Sequence, residues 1–113
     1  MATYRYVQGD TGPQLKITLT NETTNAAVDI TGATIALHFR AAGETTVLFS
    51  RNFTITDATG GEAVLQWQTN DLNQEAGAYE GEIEIAKSSG IRETIYDKLK
   101  FRIREDFAWV ELE

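Results

Sequence analysis

The sequence predicts an all-β fold, and three observations predict it. Apolar residues recur with a period of two in short runs, such as Leu15, Ile17 and Leu19, or Ile35, Leu37 and Phe39. That is the pattern of a strand with one buried and one wet face. Turn signals separate the runs about every eight to twelve residues, and no stretch carries the 3.6-residue period of a long amphipathic helix. Finally, Glu75-Ala76-Gly77-Ala78-Tyr79 has the acid-x-Gly-x-Tyr spacing of a tyrosine corner, in which a Tyr near a strand start bonds upstream backbone through its hydroxyl. Together they predict an immunoglobulin-like antiparallel β-sandwich of about seven to eight strands.

Taken in order, Tyr4 to Val7 is a short aromatic and β-branched run, read as an edge strand. Gln8 to Pro13 holds two Gly, an Asp and the only Pro, and is a loop. Gln14 to Thr20 alternates as a half-buried strand. Val28 and Ile30 plug the end of the core ahead of a turn at Gly32, and Ala33 to Arg40 alternates again. Thr46 to Ser50 and Arg51 to Thr56 read either as two strands or as one bent strand. Asp57-Ala58-Thr59-Gly60-Gly61 is a hairpin signal. Glu62 to Gln68 aims Ala63, Leu65 and Trp67 one way, with Trp67 as the bulkiest filler between the sheets. Thr69 or Asn70 is placed to cap a single helical turn over Leu72.

The corner stretch then becomes a strand, with Tyr79, Gly81, Ile83 and Ile85 on the dry face and Glu80, Glu82 and Glu84 on the wet one. A turn at Ser88–Gly90 precedes the longest strand candidate, Ile91 to Arg104, in which Asp97 falls on the apolar parity and marks a bulge or break. A hairpin of these two strands sets Glu80, Glu82 and Glu84 against Lys98, Lys100, Arg102 and Arg104, and brings Glu80 near Lys98 or Lys100. Residues 1–104 form the sandwich domain, and 105–113 a C-terminal tail carrying Phe107, Trp109 and Leu112.

Composition narrows the function classes. The 113 residues suffice for one domain with a modest core. There is no cysteine, which excludes disulfides, thiolate-ligated metals and a cysteine nucleophile. The formal net charge of −7 repels nucleic-acid phosphates and anionic lipid, and no apolar run is long enough to cross a bilayer. Neither nucleic acid nor membrane is therefore expected as a partner. The first residues lack the basic-then-apolar layout of a secretory signal.

Nothing in the chain assembles a reaction centre by spacing. His38 is the only histidine and lies on the wet parity, so it reads as a surface residue without triad partners. Asp10, Asp29, Asp57 and Asp71 sit in loops, but their spacing matches no calcium motif, and they read as solvated turn residues. No enzymatic activity and no cofactor are expected.

Three stretches in order resemble a known family. Gln8-Gly9-Asp10 stands before one alternating strand, Val28-Asp29-Ile30-Thr31-Gly32-Ala33-Thr34 before the next, and Gly77-Ala78-Tyr79 before a penultimate strand. This order resembles the N-terminal immunoglobulin-like domain of phage baseplate upper proteins and related small tail proteins, from about Tyr6 to Ile103. The resemblance implies a non-enzymatic structural module of a phage or prophage virion, made in the bacterial host cytoplasm. Its partners would be other tail or baseplate proteins, together with self-association into a homo-oligomer. The contact surface expected on that basis is the N-terminal edge with Tyr4, Tyr6 and Val7, and the tail with Phe107, Trp109 and Leu112. Tyr79, Gly77, Trp67 and Gly32 are expected to be structural. The alternative is a carbohydrate- or receptor-binding surface module, motivated by Trp67, Trp109 and the tyrosines.

Overall fold

The computed structural model describes residues 3–95 and 98–106, and these form nine strands in two sheets with no helix. The larger sheet runs in the order β1 (Thr3–Val7), β9 (Leu99–Arg104), β7 (Gly77–Ala86), β3 (Thr34–Ala41) and β4 (Phe49–Asn52). The smaller sheet is β2 (Gln14–Thr18), β6 (Glu62–Gln66) and β5 (Thr54–Asp57). All pairs are antiparallel except β1 with β9, which run parallel with Tyr4 opposite Phe101 and Tyr6 opposite Ile103. The first and last described strands thus close one edge of the larger sheet together.

The apolar parity of each strand becomes the gap between the sheets. Leu15, Ile35, Leu37, Phe39, Leu65, Phe101 and Ile103 are fully buried there. Phe39 sits at the centre of an aromatic cluster, with ring centroids 4.8 Å from Phe49, 5.2 Å from Phe101, 5.3 Å from Tyr79 and 5.9 Å from Trp67. The Phe49 and Tyr79 rings stack on Phe39 while Phe101 is tilted and Trp67 edge-on to it, and such contacts add to the burial of large rings. Ile30 closes one end of the gap, with Val28 half-buried beside it.

The uncertain stretch after Thr46 resolves into two strands in different sheets. Phe53 is the joint: its N–H donates to the Ile35 carbonyl at 2.8 Å, and its ring turns into the core as the chain crosses over. At the β5–β6 hairpin only Gly61 has positive φ, at +68°. A Cβ there would lie 2.5 Å from the Leu19 carbonyl oxygen and 2.8 Å from that of Val28, so no other residue fits.

Three expectations are corrected. Residues 68–73 form successive turns rather than a helical turn. Asn70 takes positive φ (+74°), and the Asp71 carboxylate accepts the upstream Gln68 N–H, where a cap at Thr69 or Asn70 would have accepted a downstream one. Leu72 is nonetheless buried beneath. The 88–90 turn joins β7 not to the last strand but to a short β8 (Arg92–Thr94), which pairs with the far half of β7. The long strand candidate is thus two strands, and Asp97, read as its break, lies outside the described residues. β9 therefore meets only Gly77–Gly81 of β7, with Glu80 opposite Lys100 and Ala78 opposite Arg102. Glu82 and Glu84 instead neighbour β3, opposite His38 and Ala36.

Candidate functional site

β7 starts in the corner. The Tyr79 hydroxyl donates to the Glu75 carbonyl at 2.6 Å, and burial, with the Glu75 charge, raises its phenol above the ordinary value. Gly77 is the first residue of β7, and Gly32, at φ +74°, turns the chain into β3. Trp67, 2% exposed, fills the space between the sheets. Its indole N–H has no hydrogen-bond acceptor among the described residues, although the Tyr6 side chain lies beside it.

Tyr4, Tyr6 and Val7 all lie on β1, the outermost strand of the larger sheet. The two rings point inward. Tyr4 is 5.6 Å from Phe101, and Tyr6 packs edge-on to Trp67 at 5.3 Å. Burial raises the Tyr6 phenol above its ordinary value, and the nearby Tyr4 reinforces the shift. These tyrosines therefore serve the fold first, and what β1 offers outward is its backbone and its wet-face side chains. Gln8 N–H donates to the Arg104 carbonyl, and alternation along a parallel ladder then turns the N–H groups of Thr3, Arg5 and Val7 away from β9. No strand pairs with that outer side among the described residues. Phe107, Trp109 and Leu112, the other half of the expected contact surface, lie outside the described residues.

The parallel pairing brings together residues that no spacing in the sequence links. Arg5 sits directly opposite Arg102, and Thr3 opposite Lys100, on the wet face. Arg5, Lys100 and Arg102 are exposed, and none makes an ion pair among the described residues. The acidic neighbour expected to neutralise them is committed elsewhere. Glu80 is 2.6 Å from Arg40 Nη2 and 3.6 Å from Lys98 Nζ. Burial alone would raise the Glu80 carboxyl, but the Arg40 hydrogen bond, the Lys98 and Arg40 charges and the Gly43 N–H hold it below its usual value. The parity of Arg5 and Arg102 was available in the sequence, but their adjacency was not, because strands nearly a chain length apart had to be paired.

On the flank between β2 and the larger sheet runs an apolar trough of about 390 Å³, with Tyr4, Ile17, Leu19, Ile83, Ile95 and Leu99 in its wall. It adjoins the β1 edge through Tyr4.

His38 does have neighbours of catalytic type. On the wet face its Nδ1 shares a 2.6 Å hydrogen bond with Ser50 Oγ, and its Nε2 lies 3.5 Å from Glu84. The trio lies across three adjacent strands, β4, β3 and β7, whose backbone amides between them are used in the ladder. Such a surface presents no free N–H pair to hold an oxyanion. The depression next to His38 is about 50 Å³, water-sized rather than substrate-sized.

The loop aspartates divide. Asp29 accepts the N–H and hydroxyl of Thr31, which hold its carboxyl below the ordinary range, and Asp57 accepts the Gly60 N–H. Asp71 is not the solvated residue expected. It is 3% exposed and bonds Arg51 through Nε at 2.9 Å and Nη2 at 2.5 Å. That pair raises the Arg51 guanidinium further and ties β4 to the turn that precedes the corner. Among the described residues no group of three or more His, Asp or Glu is placed to hold a metal ion, and no helix is long and apolar enough to cross a membrane.

The fold is similar to that of CopC from Methylosinus trichosporium OB3b, which aligns over 93% of this chain and 86% of its own at a TM-score of 0.53 and 10% identity. Murine CRIg aligns over 90% and 92% at 13% identity, with a TM-score of 0.41, too loose to bear on the argument. No curated protein matches the sequence. The model of the BppU N-terminal domain matches residues 3–109, nearly the whole chain. The chain therefore belongs to the family of the BppU N-terminal domain, a phage baseplate upper protein domain, and is a structural component of the phage tail.

Proposed function

We propose that this domain is a docking module, which holds neighbouring tail or baseplate subunits through the Tyr4–Gly9 edge and the segment from Phe107 to Leu112. The observation that carries the reading is the β1 edge. It turns the N–H groups of Thr3, Arg5 and Val7 outward and has no strand beside it among the described residues. A sheet edge of this kind is a template for a neighbour's strand. Tyr4 and Tyr6 stiffen it from behind by packing on Phe101 and Trp67. Residues 1–104 act as the sandwich domain, residues 105–113 extend the contact surface, and copies of the chain associate within the same assembly. The role is non-enzymatic. The His38–Ser50–Glu84 trio acts as a cross-strand tie.

The test is gold-labelled electron microscopy of particles assembled with a tagged chain. Label at the distal end of the tail is expected, and Val7→Pro, which removes an outward N–H without breaking a bond to β9, should abolish it. Particles without label at any site would sink the reading. The carbohydrate- or receptor-binding alternative has less to stand on, because Trp67 is buried and the rings of Tyr4 and Tyr6 are engaged in the core. A glycan array at background level is the expected outcome.

A further inference from the structure

We infer that the outer edge of β1 takes an acidic, extended segment of another polypeptide, whose carboxylates alternate along its strand and meet Arg5 and the basic face behind it. This names the chemistry of the partner and rests on the docking reading above.

The observation is the cross-strand pair Arg5 and Arg102, with Lys100 beside it, exposed and without an ion pair among the described residues. Like charges opposed on adjacent strands are destabilising. A sequence under no other demand would place an acid at one of the two positions, as it does where Glu80 meets Arg40 and Lys98. Solubility does not account for the patch either. The chain carries a net charge of −7, yet Arg5, Lys100 and Arg102, three of its ten cationic side chains, are gathered on one two-strand face. Uncompensated repulsion held at an edge with outward N–H groups is what a surface looks like when its counter-charge arrives with the partner.

The geometry chooses among anions. A strand added to β1 lies about 4.8 Å from it, and its wet-face side chains stand opposite Arg5, with Arg102 one strand further in. An alternating acidic strand therefore satisfies backbone and side chains together. A second copy of β1 in the same place would bring Arg5 toward Arg5, so edge-to-edge pairing of two copies is disfavoured. Nucleic acid would meet the repulsion of the remaining acidic surface.

The probe is a soluble peptide of alternating Thr and Glu, with a Thr/Lys peptide of equal length as its counterpart, titrated into the isotopically labelled full chain. Amide shifts confined to Thr3–Val7 and Leu99–Arg104, weakened by salt, are expected with the acidic peptide alone. The variant R5E/R102E should bind it about tenfold more weakly or worse and should now accept the Thr/Lys peptide. R5Q, which relieves the repulsion, should leave the melting temperature unchanged or raise it, and so reports that the fold is intact. Equal binding of both peptides, shifts elsewhere, no binding, or indifference to charge reversal would each overturn the inference. So would acidic-peptide binding that appears only after residues 107–113 are removed, since the occupant would then be the chain's own tail. If R5E/R102E enters particles normally while Val7→Pro does not, the acidic chemistry fails and docking at the edge stands. If Val7→Pro also enters normally, the docking reading itself fails.

Discussion

Gly81 packs tightly on the core-facing side of β7, and Gly81→Ala is the perturbation that probes it. A Cβ at this position would lie 2.5 Å from Leu37 Cδ1 and 2.9 Å from Phe101 Cε2. Carbon atoms in contact prefer separations of about 3.5–4.0 Å, so the two side chains must together yield roughly an ångström. Neither has room nearby, since Leu37 is 0% and Phe101 1% exposed. Phe101 is further held between Phe39, Trp67, Tyr4 and Tyr6. Overpacking of this kind costs about 1–3 kcal/mol. For a chain of this size that lowers the melting temperature by roughly 4–12 °C. Thermal and urea unfolding followed by circular dichroism would read it, with m unchanged. The double variant Gly81→Ala/Leu37→Ala sharpens the test. Leu37→Ala alone should cost about 2–5 kcal/mol, but the pair should cost less than the sum by about 1 kcal/mol or more, because the new methyl occupies vacated space. A loss below about 0.5 kcal/mol for Gly81→Ala, or strict additivity of the two changes, would refute the packing argument.

Asp71→Ala should cost about 2–3 kcal/mol, because it strips two charge-assisted bonds from Arg51 and one from the Gln68 N–H. The Arg51 side chain is 34% exposed and rehydrates, which keeps the loss below that of a fully buried pair; denaturant unfolding measures it. Tyr79→Phe should cost about 0.5–1.5 kcal/mol in the same assay, the net worth of the corner hydrogen bond, since the exposed Glu75 carbonyl regains water. The Glu80 carboxyl is held below its reference value of 4.5, so its contribution is fully present above that pH and is lost as pH falls through the lower folded value. Unfolding scans across that window should show a shallower acid limb in Glu80→Gln than in the parent chain.

Much of this architecture is legible in local pattern. The parities of Leu15 and Ile17, of Ile35, Leu37 and Phe39, and of Ile83 and Ile85 each place a strand and its inner face, because period two is a local signal that burial enforces. The corner is legible for the same reason, as its donor and acceptor are four residues apart. Long-range choices are not. The pairing of Thr3–Val7 with Leu99–Arg104 is parallel and spans nearly the whole chain, and no spacing rule announces it. The split of the last strand candidate and the resulting isolation of Arg102 from Glu82 and Glu84 depend on how far β9 runs along β7. The burial of Asp71 was equally hidden, since a loop aspartate looks solvated until its partner Arg51, two strands earlier, is brought over it. The candidate docking surface is thus half legible: the edge strand is visible by sequence, while its basic face appears only once the sheet is assembled.

A docking role at the β1 edge requires that another virion protein cover it in the assembled particle. The most direct measurement is photo-crosslinking from Thr3, where a benzophenone side chain on the outward edge replaces threonine in chains incorporated into particles, with Ser50 on β4 as the control position. A crosslink from position 3 to a different tail or baseplate protein is expected, with a much weaker one from position 50. Crosslinks from position 50 alone, or none from position 3 in particles that contain the chain, would contradict it.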